Sequence, residues 1–265
     1  MSTVLSKTKV AGQISLCVGL LALALSGCSG NGLATAGGAS LPPTETTGST
    51  GSVPAGETDG DDAETISTGC PATAETMPAE AETSTIGDVD GDGERDTQWY
   101  SEATAPFTYG ITTASGATHS ITDNLAGPGR HSGWTAPLHN GVVVTVLDDS
   151  RRADLYAFVD CAFVKPIGVD GQQYAFDMQN LRGNGTGVGC MEVENGLELN
   201  GLQVSKNKDG TFSQLATGIS VSADGRTAMN GYTAVFEDIP EGDPQLDHAH
   251  TSSCADLPIV STSGR

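Results

Sequence analysis

Between residues 70 and 260, short runs of β-branched and aromatic residues alternate with Gly, Asn and Asp, which is the texture of β-strands cut by turns. The clearest part is residues 188–236, "VGCMEVENGLELNGLQVSKNKDGTFSQLATGISVSADGRTAMNGYTAVF". Within it, Asn195-Gly196, Asp209-Gly210 and Asp224-Gly225 each suit a type I′ hairpin, in which both central residues take positive φ. They predict four strands in an antiparallel meander, the unit of a propeller blade. Asn200-Gly201 is too close to the first turn to be another and reads as a β-bulge. "GVVVTVL" (141–147) is continuously apolar, the pattern of a strand buried on both faces, and "DLYAFVD" (154–160) is similar. No stretch holds a helical period. The expected fold is all-β: propeller-blade-like antiparallel meanders in a partial propeller or a β-sandwich.

Upstream the pattern disappears. Residues 28–69 are almost all Gly, Ser, Thr, Ala, Pro and acid, with nothing to bury, and read as a disordered linker. A flexible chain of about forty residues has a root-mean-square reach of roughly 35 Å. Residues 1–27 carry Lys7 and Lys9 ahead of an apolar stretch from Val18 to Leu25, too short for a membrane span. "LSGC", Leu25 to Cys28, closes that stretch and resembles the lipobox of bacterial lipoproteins. The resemblance implies a cleaved signal peptide over 1–27 and diacylation (a palmitate-type lipid) at Cys28. It implies a protein anchored to the cell membrane on its extracytoplasmic face, followed by one domain over 70–265.

Formal net charge is −21, and losing the signal peptide would make it more negative. Such a charge disfavours nucleic acid and anionic headgroups as partners, and favours cations or plain solubility. Of the six cysteines, Cys70, Cys161, Cys190 and Cys254 remain after export, an even number in an oxidising compartment, which predicts two disulfides. Three pairings exist. Cys161–Cys190 with Cys70–Cys254 is the favoured one, since it would tie the start of the domain to its end.

The densest chemistry is "DVDGDGERD", residues 88–96. Its carboxylates would repel one another unless a cation shares them. Ca²⁺ takes six to eight oxygens, and here Asp88, Asp90 and Asp92 fall on alternate positions, Gly93 permits the reversal, Glu94 offers its carbonyl and Asp96 closes the set. An EF-hand would need Glu where Trp99 stands, and a dockerin would end in helices, whereas "TQWYSEA" reads as a strand. A solvated acidic turn without metal is the plain alternative. "GDVDGDGERDTQWY" (87–100) resembles the calcium loop of FG-GAP repeats, the integrin-α-like repeats also found in VCBS-type bacterial proteins. That resemblance implies structural Ca²⁺ on Asp88, Asp90, Asp92, Glu94 and Asp96, and a binding or adhesion scaffold. "LDDSRRADLYAF" (147–158) aligns loosely with it, Asp96 on Asp154, as a degenerate second copy.

Enzyme motifs are absent: there is no GxSxG, HExxH or P-loop pattern, and no catalytic residue is assigned. "GNGTGVG" (183–189) reads as a turn leading into a strand, and "DHAH" (247–250) as a solvated tail segment in preference to a metal site. "GPGRHSGWTAPLH" (127–139) reads as a loop in which Trp134 and His131 are candidate ligand contacts. The expectation is a lipid-anchored, calcium-stabilised binding or scaffold protein, not an enzyme, with an extracellular protein or glycan as partner. A secreted envelope hydrolase with a dispersed site, or a purely structural envelope protein, is the alternative.

Overall fold

The structure, a computed structural model, describes residues 69–103, 105–179 and 184–264. The signal segment, Cys28 and the linker up to residue 68 lie outside the described residues.

Three antiparallel sheets form from strands that are mostly neighbours in sequence. The first is β1 (Glu82–Thr85), β2 (Thr97–Ser101), β3 (Thr108–Thr112) and β4 (Thr118–Thr122). The second is β5 (Ser132–Pro137), β6 (Val143–Asp148), β7 (Arg152–Val159) and β8 (Ala162–Val164), with β9 (Ala175–Asp177) pairing β7. The third is β10 (Thr186–Val193), β11 (Gly196–Lys206), β12 (Phe212–Val221) and β13 (Ala228–Ile239). A short helix, α1 (Pro244–His248), follows, and β14 (Val260–Ser261) returns to pair with β5. The fold is therefore all-β and built of four-stranded meanders, with no closed barrel among the described residues.

The second sheet is the middle layer. Along β6, Val144 and Val146 enter a core with Trp134, Leu155, Val188, Leu199 and Ile219, facing the third sheet. Val143 and Leu147 enter another with Tyr109, Ile111, Tyr156 and Phe158, facing the first. Successive side chains of a strand point to opposite faces, so a strand covered on both sides must be apolar at nearly every position. Among the described residues, the far side of the third sheet is covered by α1 and the chain after it, through Leu202, Val204, Ala216, Ile239, Leu246 and Ala249.

Four details differ from the sequence reading. None of the three hairpins is type I′: positive φ falls on Gly196 (133°), Gly210 (93°) and Gly225 (69°) but on neither Asn195 nor the two aspartates, and Gly196 already pairs with Val193 as the first residue of β11. Each aspartate instead accepts a backbone N–H two residues on, from Thr211 and Arg226, which holds it in an ordinary turn ahead of the glycine. Asn200 and Gly201 pair in unbroken register with both neighbouring strands, so there is no bulge; the irregularities lie between β12 and β13. The disulfides are Cys70–Cys161 and Cys190–Cys254, not the favoured pairing, because the first bridge staples sheet one to the β7–β8 turn and the second staples β10 to the C-terminal segment. Finally, Asp96 precedes the second strand of its sheet while Asp154 lies inside β7, so the two stretches aligned as copies hold different places.

The C-terminal segment packs tightly on β10. A Cβ added at Gly187 would stand 2.6 Å from the His248 carbonyl oxygen and 2.9 Å from that of Thr251. Gly187→Ala is expected to destabilise by about 1–3 kcal/mol, because backbone must move to admit it. Urea titration checks this; an unchanged midpoint would mean that α1 and the chain after it are not held against β10.

Candidate metal centre

The acidic loop closes the hairpin between β1 and β2, whose last pair is Thr85 with Thr97. Buried Ile86 and Val89 anchor it, and Ile86 N–H donates to the Asp96 carbonyl at 2.8 Å. The chain reverses through Gly91 (φ 80°) and Gly93 (φ 89°), conformations that glycine adopts without a Cβ penalty. Asp88 organises the reversal: its Oδ1 accepts from Gly91 N–H at 2.6 Å and its Oδ2 from Gly93 N–H at 2.9 Å.

Two further carboxylates fasten the loop to its surroundings. Asp90 Oδ2 accepts from Cys70 N–H (2.7 Å), and the single proton of the Ser115 hydroxyl is placed between that oxygen (3.1 Å) and the nearer Cys70 carbonyl (2.7 Å). Asp96, 1% exposed, accepts from Val89 N–H at 2.7 Å and Ala114 N–H at 2.9 Å. Ser115 and Ala114 belong to the β3–β4 turn, and no pattern in the sequence tied that turn to the acidic loop.

One oxygen each from Asp88, Asp90 and Asp96 lies within 4.8 Å of the others. This is the only such convergence of His, Cys, Asp or Glu side chains found among the described residues. Of the five predicted ligands, three carboxylates thus meet; Asp92 is outside the group and accepts from Glu94 N–H at 2.8 Å. Burial pushes the Asp96 carboxyl above its ordinary value; its two N–H donors oppose this, and the charges of Asp90 and Asp88 add to it. A divalent cation beside these oxygens would reverse that balance by supplying the missing positive charge. The donor set is all oxygen, which suits a hard ion such as Ca²⁺.

The other candidates fare differently. Trp134 is not in a loop but in β5, fully buried, with its Nε1–H donating to Ser252 Oγ at 2.9 Å, so it has no surface to offer a ligand. It fills the core because strand β5 continues through what looked like a Gly- and Pro-rich loop. His131 is also buried, just before β5. Its Nδ1 meets Asp123 Oδ2 in a short ion pair, and its Nε2 faces the Gly127 carbonyl at 2.9 Å. Both ring nitrogens face acceptors, an arrangement that favours the doubly protonated, cationic ring. Tyr100 O–H donates to the same Asp123 oxygen, and Leu125 N–H to the other. Burial works against that charge, but the Asp123 bond, the Gly127 carbonyl and the charges of Asp123 and Asp149 together raise the His131 pKa. With both nitrogens engaged, His131 has no free lone pair for a nucleophile. In "DHAH", His248 ends α1 and His250 follows it, and both are exposed, as is Asp247.

Comparisons with protein-family models, with curated proteins and with solved structures give no match for this chain.

The geometry of the acidic loop therefore rests on its own residues. A buried aspartate at the base, a capping aspartate at the tip and a third tied to the Cys70–Cys161 bridge place three negative oxygens around one point.

Proposed function

We propose that the protein is an exported lipoprotein, anchored through a lipid on Cys28, whose β domain holds one structural Ca²⁺ in the 88–96 loop. In this reading it serves as a binding or scaffold module at the cell surface, toward an extracellular protein or glycan. The observation that carries the calcium part is the meeting of Asp88, Asp90 and Asp96 oxygens within 4.8 Å. The strand β2 that starts at Thr97, directly after the loop, supports the FG-GAP likeness over a helix–loop–helix. The anchor rests on the sequence of residues 1–28.

Thermal melting tests the ion. A ligand that binds only the folded state at a hundred times its Kd stabilises by about 2.7 kcal/mol. Millimolar Ca²⁺ is thus expected to raise the melting temperature by about 5–10 °C over excess chelator. Asp88→Ala should lower the melting point in both conditions and remove the difference between them. Wild-type protein that melts alike with calcium and with chelator would defeat the assignment. Metabolic labelling with a fatty-acid probe, lost in Cys28→Ala, tests the anchor.

A further inference from the structure

Sheet three turns Met191, Leu202, Gln214, Ala216 and Phe236 toward α1 and the segment behind it. Between the two layers lies a pocket of about 310 Å³, open to solvent on one side. Cys190, held to Cys254, lines one side, and Gln245, His248 and Ser253 stand at its polar rim. Within this apolar wall Gln214 is the exception. It sits in β12 between Val204 of β11 and Phe236 of β13, and is 3% exposed. Its Oε1 is enclosed and has no hydrogen-bond partner among the described residues.

Elsewhere the fold does not leave a buried glutamine in that condition. Gln98, equally buried, accepts from the Tyr109 hydroxyl at 2.8 Å and from Thr135 N–H at 2.9 Å, and donates to the Pro258 carbonyl at 2.7 Å. An enclosed amide oxygen without a donor is unfavourable, and leucine or methionine would fill the same space without that defect. A glutamine at this point is explained if something else supplies the donor.

We propose that the cavity binds a small neutral molecule with an apolar body and one O–H or N–H group. The Gln214 side chain turns so that its enclosed amide oxygen meets the donor, and the body lies against Met191, Leu202, Ala216 and Phe236. The volume is at the lower end of the range for small-molecule sites, about 300–1,000 Å³, which suits a two-ring or ten-carbon body. A methionine and a phenylalanine in the wall can adjust to its shape. A carboxylate is disfavoured, since the orphan atom is itself an acceptor and the chain carries a net charge of −21. This assignment rests on the binding role proposed above and gives it a ligand class, but it does not involve the acidic loop.

The test is a fluorescence titration with N-phenyl-1-naphthylamine, a neutral two-ring molecule with one N–H that brightens in apolar surroundings. Saturable binding at one site is expected, equal in calcium and in chelator. Gln214→Leu should weaken it about tenfold while leaving the melting temperature equal or higher, since the unpaired amide is gone. Ala216→Trp, which fills the cavity, should abolish saturation. If that variant does not fold, competition by 1-decanol but not by decane takes its place. Absence of saturable binding would overturn the proposal. So would a titration unchanged in both variants, or a lower melting temperature for Gln214→Leu, which would show that the amide already has a partner. Failure of the calcium response beside a normal titration would defeat only the calcium reading, and the reverse only this one.

Discussion

Replacing Cys70 and Cys161 together with alanine is expected to cost the domain about 4–5 kcal/mol, and to lower its melting temperature by about 10–15 °C. The bond closes a loop with a sequence separation of 91, so its removal frees a long stretch of the unfolded chain. The chain-entropy account gives a similar figure for Cys190–Cys254, with a separation of 64. The two bridges differ in what they hold. Cys70 presents its N–H to Asp90 and its carbonyl to Ser115, so the first bridge also fixes one wall of the acidic loop. The Cys70→Ala/Cys161→Ala protein should therefore lose part of its calcium response, whereas Cys190→Ala/Cys254→Ala should keep all of it. Melting both variants with calcium and with chelator checks this. Equal calcium responses in the two would show that the loop stands without its bridge.

Asp123→Ala is expected to cost about 3–5 kcal/mol, because it strands the buried His131 cation and the Tyr100 hydroxyl together. Its dependence on pH is the sharper test. The His131 pKa is raised in the fold, so its contribution is complete below the ordinary value of about 6.5 and is lost as pH climbs through the raised one. Nearby Asp148 acts in the same direction. Burial pushes it up to about 6, with Asp149's charge adding to the effect and the Ser150 N–H and His131 opposing it. A carboxyl raised in this way favours the fold while protonated, and that advantage disappears between about pH 4 and 6. In chelator, wild-type stability should therefore decline as pH rises from 5 to 8. In Asp123→Ala, His131 loses the bond and the charge of Asp123 and keeps only the Gly127 carbonyl and the Asp149 charge against burial, so its pKa falls and the gap from wild type should be wide at pH 5 and narrow at pH 8. Melting curves across that range decide it; a gap independent of pH would mean that His131 is not charged in the fold.

Much of the architecture is legible in the sequence itself. The turns of sheet three fall at the two Asp-Gly steps and within one residue of Asn195-Gly196, because a turn is a local event and its residues act within four positions. The double-sided burial of β6 was readable for the same reason: alternation is a property of the strand itself. In the acidic loop, the spacing of Asp88, Asp90 and Asp96 around two glycines brought their oxygens together as expected. Asp92 carried the same spacing but is outside that group.

What could not be read depends on which sheet stacks on which. Cys70 pairs with Cys161, not Cys254, because sheet one lies on the face of sheet two that carries Tyr156 and Phe158. Trp134 looked like a loop residue, but it pairs opposite Val146 of β6, and the packing of sheet three on that face and the chain at Ser252 bury its ring. Asp123 had no visible partner until the ordering of the segment before β5 put His131 against it. Gln214, on an alternating strand, reads as a polar residue facing water; only α1 and the chain after it make it a buried amide. Short-range periodicity and turn chemistry thus set the strands, the meanders and the acidic hairpin. The stacking of sheets, a balance of contacts between residues far apart in the chain, set the disulfides, the buried ion pair and the cavity beneath α1.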